Sequence, residues 1–194
     1  MQNKKILLAS GSPRRKELLV RMGIEFDIMP CSLDETYDEG ISPVEVVEYL
    51  SKLKADYVNG MVEDYVVIGS DTIVSIDEHI LGKPKDRDDA YNMIKILSDN
   101  WHEVITGICI YDGEKYLLEH EITKVHFTKM SEKEIQNYIS LDEPYDKAGG
   151  YGVQGIAGMY IDSIEGDYYN IMGFPMARVL KMLKKMSVIG SMKG

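Results

Sequence analysis

Apolar positions in this chain fall into short runs of two different periods that alternate along most of its length. Residues 5–9 are a compact apolar run and predict a first strand. A Ser12-Pro13 step follows and opens a helix, since serine is a good N-cap and proline suits the first helical position. Residues 25–29 predict a second strand, stopped by Pro30. Ser42-Pro43-Val44-Glu45 is a capping box that starts a helix running to about residue 59. Tyr65-Val66-Val67-Ile68 is apolar without interruption, as expected of a strand buried on both faces. It ends at Gly69-Ser70-Asp71-Thr72, and residues 73–76 continue it past a bend. Ala90, Met93, Ile94 and Leu97 recur at helical spacing and predict a helix over residues 86–97.

Two long strands are predicted at residues 102–111 and 115–126, joined through Asp112-Gly113, a strong hairpin signal. Ser131-Glu132-Lys133-Glu134 is a second capping box, with a helix to about residue 141. A glycine-rich stretch over residues 148–158 precedes a short strand at 159–164, and the last helix covers 176–186. Alternating strands and helices predict an α/β fold, and the hairpin makes its sheet mixed instead of all-parallel. No linker or repeat divides the sequence. The expectation is a single domain over residues 1–194 with two lobes, 187–194 being a frayed tail.

Composition narrows the function classes. A formal charge of −10 argues against a protein that coats nucleic acid, although a basic cleft can exist on an acidic body. Cys31 and Cys109 lie in or beside apolar runs without metal-ligand spacing, and read as reduced residues of a cytoplasmic protein. There is no signal peptide and no stretch of membrane-spanning length, so neither a membrane nor nucleic acid is an expected partner.

The chemistry begins at Leu8-Ala9-Ser10-Gly11-Ser12-Pro13-Arg14-Arg15. Arg14 and Arg15 fall in the first turn of the predicted helix, where cations oppose the macrodipole but outward N–H groups favour an anion. Two guanidiniums at such a terminus point to a polyphosphate. Asp71, ending a buried strand, is where α/β proteins place ligand-binding groups; an isolated aspartate there is as often a turn cap. Lys83 in Gly82-Lys83-Pro84 follows a strand-and-turn excursion at Asp77-Glu78-His79 that would return it toward the same strand end. Taken alone, it is a solvated loop lysine. Gln154, in the Lys147–Gly155 segment, offers an amide suited to reading a base edge. Glu35, a surface acidic residue by itself, could complete a hard-oxygen site for Mg²⁺ or Mn²⁺ with Asp71. Lys54, late in its helix, reads as a solvated-face residue. The four histidines show no zinc spacing.

In order and spacing these segments, with Gly166-Asp167-Tyr168-Tyr169-Asn170, resemble the Maf family over nearly the whole chain. The resemblance implies an elongated central sheet flanked by helices, with two lobes and a cleft, akin to the inosine-triphosphate pyrophosphatases. It also implies a divalent-cation-dependent nucleoside triphosphate pyrophosphatase that cleaves between the α- and β-phosphates. Residue by residue, Asp71 matches the catalytic proton acceptor, and Arg14 and Arg15 match phosphate-binding arginines beside Ser10. Lys54 and Lys83 match lysines near the phosphates, Thr72 and Gln154 match positions tied to substrate choice, and Glu35 matches a metal-site acid. The Lys147–Gly155 form looks like the branch preferring dTTP and UTP, with modified pyrimidine nucleotides as a related possibility. Asp99-Asn100-Trp101 departs from the family's usual turn, away from these residues. The family often forms homodimers. A rival reading from another class is a nucleotide-binding regulator of septum formation with little turnover; the joint presence of Asp71 and Glu35 favours the enzyme.

Overall fold

The computed structural model describes residues 4–33, 35–38 and 40–189. Among the described residues, seven strands and six α-helices follow one another as β1 (Lys5–Leu8), α1 (Pro13–Arg21), β2 (Phe26–Ile28), α2 (Pro43–Asn59), β3 (Tyr65–Ile76), β4 (His79–Leu81), α3 (Arg87–Leu97), β5 (Trp101–Tyr111), β6 (Tyr116–Phe127), α4 (Glu132–Tyr138), β7 (Ile161–Glu165), α5 (Tyr168–Ile171) and α6 (Met176–Lys185). The strands make one mixed sheet in the order β2-β1-β3-β5-β6-β7, with β4 paired to β3. β1 runs parallel to both β2 and β3, whereas β4 and β7 pair antiparallel with β3 and β6. The α/β class and the mixed sheet match the expectation.

Both predicted capping boxes are formed. Ser42 and Ser131 each take the amide of the glutamate three residues on, and each glutamate side chain reaches back to the serine amide. Other expectations are corrected. Ser12 occupies the N-cap of α1 but makes no side-chain cap; its own amide donates to Ser10 Oγ at 3.3 Å instead. β3 runs through Gly69 to Thr72 without a break. α4 stops at Tyr138, short of the predicted end. The strand expected at 159–164 begins only at Ile161, because Ile156–Tyr160 is a 3-10 helix. Asp77 and Glu78 take positive φ angles of 48° and 65°, which makes the excursion after β3 a tight hairpin turn. Of the tail, Ser187 and Val188 donate their amides to Lys184 and Leu183 carbonyls, and residues from 190 on lie outside the described residues. Among the described residues, no helix is long and apolar enough to cross a membrane.

The chain divides into two compact units, each with its own core. One comprises Met1–Asp71, Thr106–Glu121 and Gly173–Gly194, and the other Thr72–Ile105 and Ile122–Met172. In the first unit, Leu7, Ala9, Ala55, Val58, Val67 and Cys109 pack together. α2 lies unusually close to the strands here, because glycine replaces a side chain at two contacts. A Cβ on Gly69 of β3 would sit 2.2 Å from the Ser51 carbonyl oxygen, and one on Gly107 of β5 would sit 2.1 Å from that of Val47.

The second unit packs α3, α4 and the strand segments around Phe127, Ile94, Leu97 and Tyr151. His102 lies within this core, 2% exposed, with Nε2 2.7 Å from the Tyr151 hydroxyl and its ring edge-on to Phe127 and Tyr151. Burial, with a smaller contribution from His126, lowers its pKa from 6.5 to about 3. Above pH 6.5 the residue is neutral whether folded or unfolded, and contributes no pH dependence. Below it, the unfolded chain takes a proton that the folded chain refuses. Stability therefore falls as pH drops from 6.5 toward 3, at a slope approaching ~1.4 kcal/mol per pH unit. Urea unfolding of the wild type and His102→Gln between pH 7 and 4.5 checks this. The variant is expected to lose less stability per pH unit by about that amount, and equal slopes would refute the assignment.

Candidate active site

The site is built where α2 meets β3 in the first unit. Side chains alternate along a strand, so Asp71 points to the same face as Gly69, the face that α2 covers. Ser51 abuts Gly69, and Lys54 lies three residues further along the same buried stripe of α2 (Val47, Ser51, Lys54, Ala55, Val58). The helix thereby delivers Lys54 to Asp71, with Nζ 2.5 Å from Asp71 Oδ1. Glu35, on the loop after β2, closes the cluster from outside with Oε1 2.8 Å from the same Nζ. Lys54 is 8% exposed and Asp71 7%, so the solvated-face reading of Lys54 is corrected: it is a buried cation between two carboxylates. Asp71 likewise sits mid-strand and is not a turn cap.

The opening segment supplies the cations. Arg15 Nη1 donates to Ser10 Oγ at 3.1 Å, and Arg15 Nε donates to the Gly173 carbonyl at 3.0 Å. These two contacts tie the guanidinium to a backbone carbonyl and a hydroxyl. Burial lowers its pKa below the usual arginine value; Asp71 and Glu35 pull the other way, and Arg14 adds to the lowering. Those influences place Arg15 within electrostatic reach of Asp71, Arg14 and Glu35. The first unit therefore brings together Ser10, Arg14, Arg15, Glu35, Lys54 and Asp71.

Thr72, Lys83 and Gln154 belong to the second unit. β4 pairs with β3 in the register Val74↔Leu81, Ser75↔Ile80 and Ile76↔His79. β4 ends at Leu81, and Lys83 follows it, exposed, while Thr72 is half-buried. The Gly82 carbonyl accepts from the Gly149 amide at 2.9 Å, tying the Lys83 loop to the glycine-rich segment. Gln154 stands exposed on that segment. Glu143 and Tyr138, which brace the segment from α4 and the turn after it, were not singled out from the sequence. The one available signal was an acidic residue just ahead of a glycine run.

As a cation site, Asp71 and Glu35 offer hard carboxylate oxygens that already share one ammonium. Among the described residues, no group of three or more His, Cys, Asp or Glu side chains could hold a metal. Two carboxylates suit Mg²⁺ or Mn²⁺, which fill their remaining positions with water and phosphate oxygens. The arrangement fits a cation that arrives with a phosphorylated ligand, in place of a resident structural metal.

Comparison with known proteins agrees with this chemistry. The family model described as Maf-like protein matches residues 5–186. A dTTP/UTP pyrophosphatase of Aquifex aeolicus (strain VF5) is 43% identical over 185 residues, covering 95% of this chain and 97% of its own. One of Pelotomaculum thermopropionicum is 46% identical over 184 residues, covering 94% and 96%. One of Bacillus cereus (strain G9842) is 44% identical over 185 residues, covering 95% and 97%.

Proposed function

The chain belongs to the Maf-like family, and on that premise we propose that it is a nucleoside triphosphate pyrophosphatase acting on dTTP and UTP. It hydrolyses the bond between the α- and β-phosphates. The observation that carries the reading is the buried Asp71–Lys54 pair, closed by exposed Glu35, beside an Arg15 anchored on Ser10 and Gly173. It supplies a carboxylate held in place within reach of cations that suit a polyphosphate.

The roles follow from the groups. Arg14, Arg15 and the N-terminus of α1 hold the phosphates, with Lys83 as a further point charge. Lys54 engages Asp71 Oδ1 and fixes the orientation of the carboxylate. The other oxygen takes a proton from water as that water's oxygen bonds to the α-phosphorus. The bond from the α-phosphorus to the bridging oxygen breaks, and pyrophosphate leaves with its electron pair. Glu35 and Asp71 would hold a divalent cation that neutralises charge on the phosphates, and Asp71 would alternate between that role and the base, because a bound cation lowers its basicity. Positioning and charge stabilisation supply most of the acceleration. Thr72 and Gln154 select the nucleotide.

Incubation with a panel of triphosphates and Mg²⁺ or Mn²⁺, followed by separate assays for pyrophosphate and orthophosphate, tests the reading. dTTP and UTP are expected to yield pyrophosphate, and EDTA to abolish it. Tight binding without pyrophosphate would favour a nucleotide-binding regulator, and orthophosphate would mean a different bond. Gln154→Leu is expected to lower the ratio of kcat/KM for dTTP over CTP at least ~10-fold with a smaller effect on kcat, because a site built on hydrogen bonds discriminates through them. An unchanged ratio would remove Gln154 from that role.

A further inference from the structure

One carboxylate caps the backbone just after Gln154. Glu143 sits in the 3-10 turn after α4, and its Oε2 accepts the Ile156 amide at 2.8 Å. Its Oε1 lies 3.3 Å from the Ala157 amide and 3.1 Å from the Tyr138 hydroxyl. Ile156 and Ala157 begin the 3-10 helix of Ile156–Tyr160, so their amides lack carbonyl partners of a preceding turn, and the carboxylate caps them from a distant part of the chain. The seat is tight. A Cβ on Gly155 would lie 2.2 Å from Oε1, so glycine beside Gln154 is what lets the carboxylate reach the amides.

Two further contacts fix the other end of the segment. Tyr138 Oη is also 3.1 Å from the Gly150 carbonyl, so its one proton is shared between the loop backbone and Glu143. Burial, reinforced by Glu143, raises the phenol pKa and keeps the hydroxyl a donor. Lys147 Nζ donates to the Glu143 carbonyl at 2.8 Å, and its stem passes where a Cβ on Gly152 would sit. Gln154 is exposed and lies between Gly152 and Gly155, both of which pack against this brace.

We propose that Glu143 is a positioning residue for nucleotide choice, acting as a clasp that fixes the loop bearing Gln154. The proposal rests on the dTTP/UTP pyrophosphatase reading above. Glutamine at position 143 keeps the shape and the Tyr138 contact, but sets an NH₂ group against one of the two backbone amides. The loop then loses its charged cap while the packed core around Phe127 is untouched.

The test compares kcat/KM for dTTP and CTP in the wild type, Glu143→Gln, Gln154→Leu and the double variant. Glu143→Gln is expected to lower the dTTP-over-CTP ratio at least ~5-fold, and the double variant to fall no further than Gln154→Leu alone, as for residues acting through one contact. Gly155→Ala, which displaces the carboxylate from the other side, should shift the ratio in the same direction. A fall in kcat/KM that is equal for both nucleotides marks a purely structural role and overturns the clasp. So does full addition of the two single-variant losses. If Gln154→Leu shifts the ratio and Glu143→Gln does not, the clasp fails and the Gln154 reading stands. If only Glu143→Gln shifts it, Glu143 does not act through Gln154, and both the clasp and the Gln154 role fail. If pyrophosphate is released from neither nucleotide by the wild type, both fall with the function.

Discussion

Asp71→Asn is expected to lose at least ~100-fold in turnover of dTTP while the protein stays folded, the range for removing a general base. Asparagine is nearly isosteric and can still present an oxygen to Lys54, which sits 2.5 Å from Asp71 Oδ1. Lys54 also keeps its 2.8 Å contact with Glu35, so the substitution does not strand a buried ammonium without a counter-charge. What disappears is the basic oxygen and one negative charge beside Arg15. The loss should therefore fall on kcat, with KM for the triphosphate changed little or lowered. Steady-state pyrophosphate release, read with the urea midpoint of the same preparation, separates the two effects. Near-normal kcat in a folded variant would remove Asp71 from the chemical step.

The division between what the sequence revealed and what it hid follows the range of each signal. Both capping boxes and the Tyr65–Ile68 strand were legible, because each is decided by residues within a few positions of one another. The 3-10 helix of Ile156–Tyr160 was read as the start of a strand, since its apolar residues carry no periodicity and Glu143, thirteen residues upstream of Ile156, decides its backbone. Ser12 looked like a cap, but the Ser10 hydroxyl already takes its amide and the Arg15 guanidinium. Lys54 was the largest surprise within the site. Its position in the apolar stripe of α2 was visible, but which way that stripe faced depends on glycines in β3 and β5, far away in sequence. Asp71 and Arg15 stood out by residue type and place. Their partners Ser10 and Gly173 could be joined to them only by the fold.

Those glycines lead to the second large effect: Gly107→Ala is expected to destabilise the protein by about 3 kcal/mol or more, the upper range for overpacking. The added methyl would lie 2.1 Å from the Val47 carbonyl oxygen and 2.9 Å from Ser51 Oγ. The nearest clash is with helix backbone, which no rotamer change can relieve, so α2 must lift away from β5. Gly69 stands against the same helix, with the Ser51 carbonyl oxygen 2.2 Å and the Ala55 amide nitrogen 2.8 Å from its would-be Cβ. Gly69→Ala carries a second consequence, because Ala55 adjoins Lys54. Moving the helix at that contact draws Nζ away from Asp71 Oδ1, so activity should fall beyond what the unfolded fraction explains. Gly82→Ala is the control: nothing lies within 4 Å of its would-be Cβ. It should change stability by less than ~0.5 kcal/mol. Urea midpoints at constant m-value report the stability differences. If Gly107→Ala matches the Gly82→Ala control, the packing of α2 on glycine is not what holds this unit together. If Gly69→Ala keeps full kcat in its folded fraction, the helix is not what sets Lys54 against Asp71.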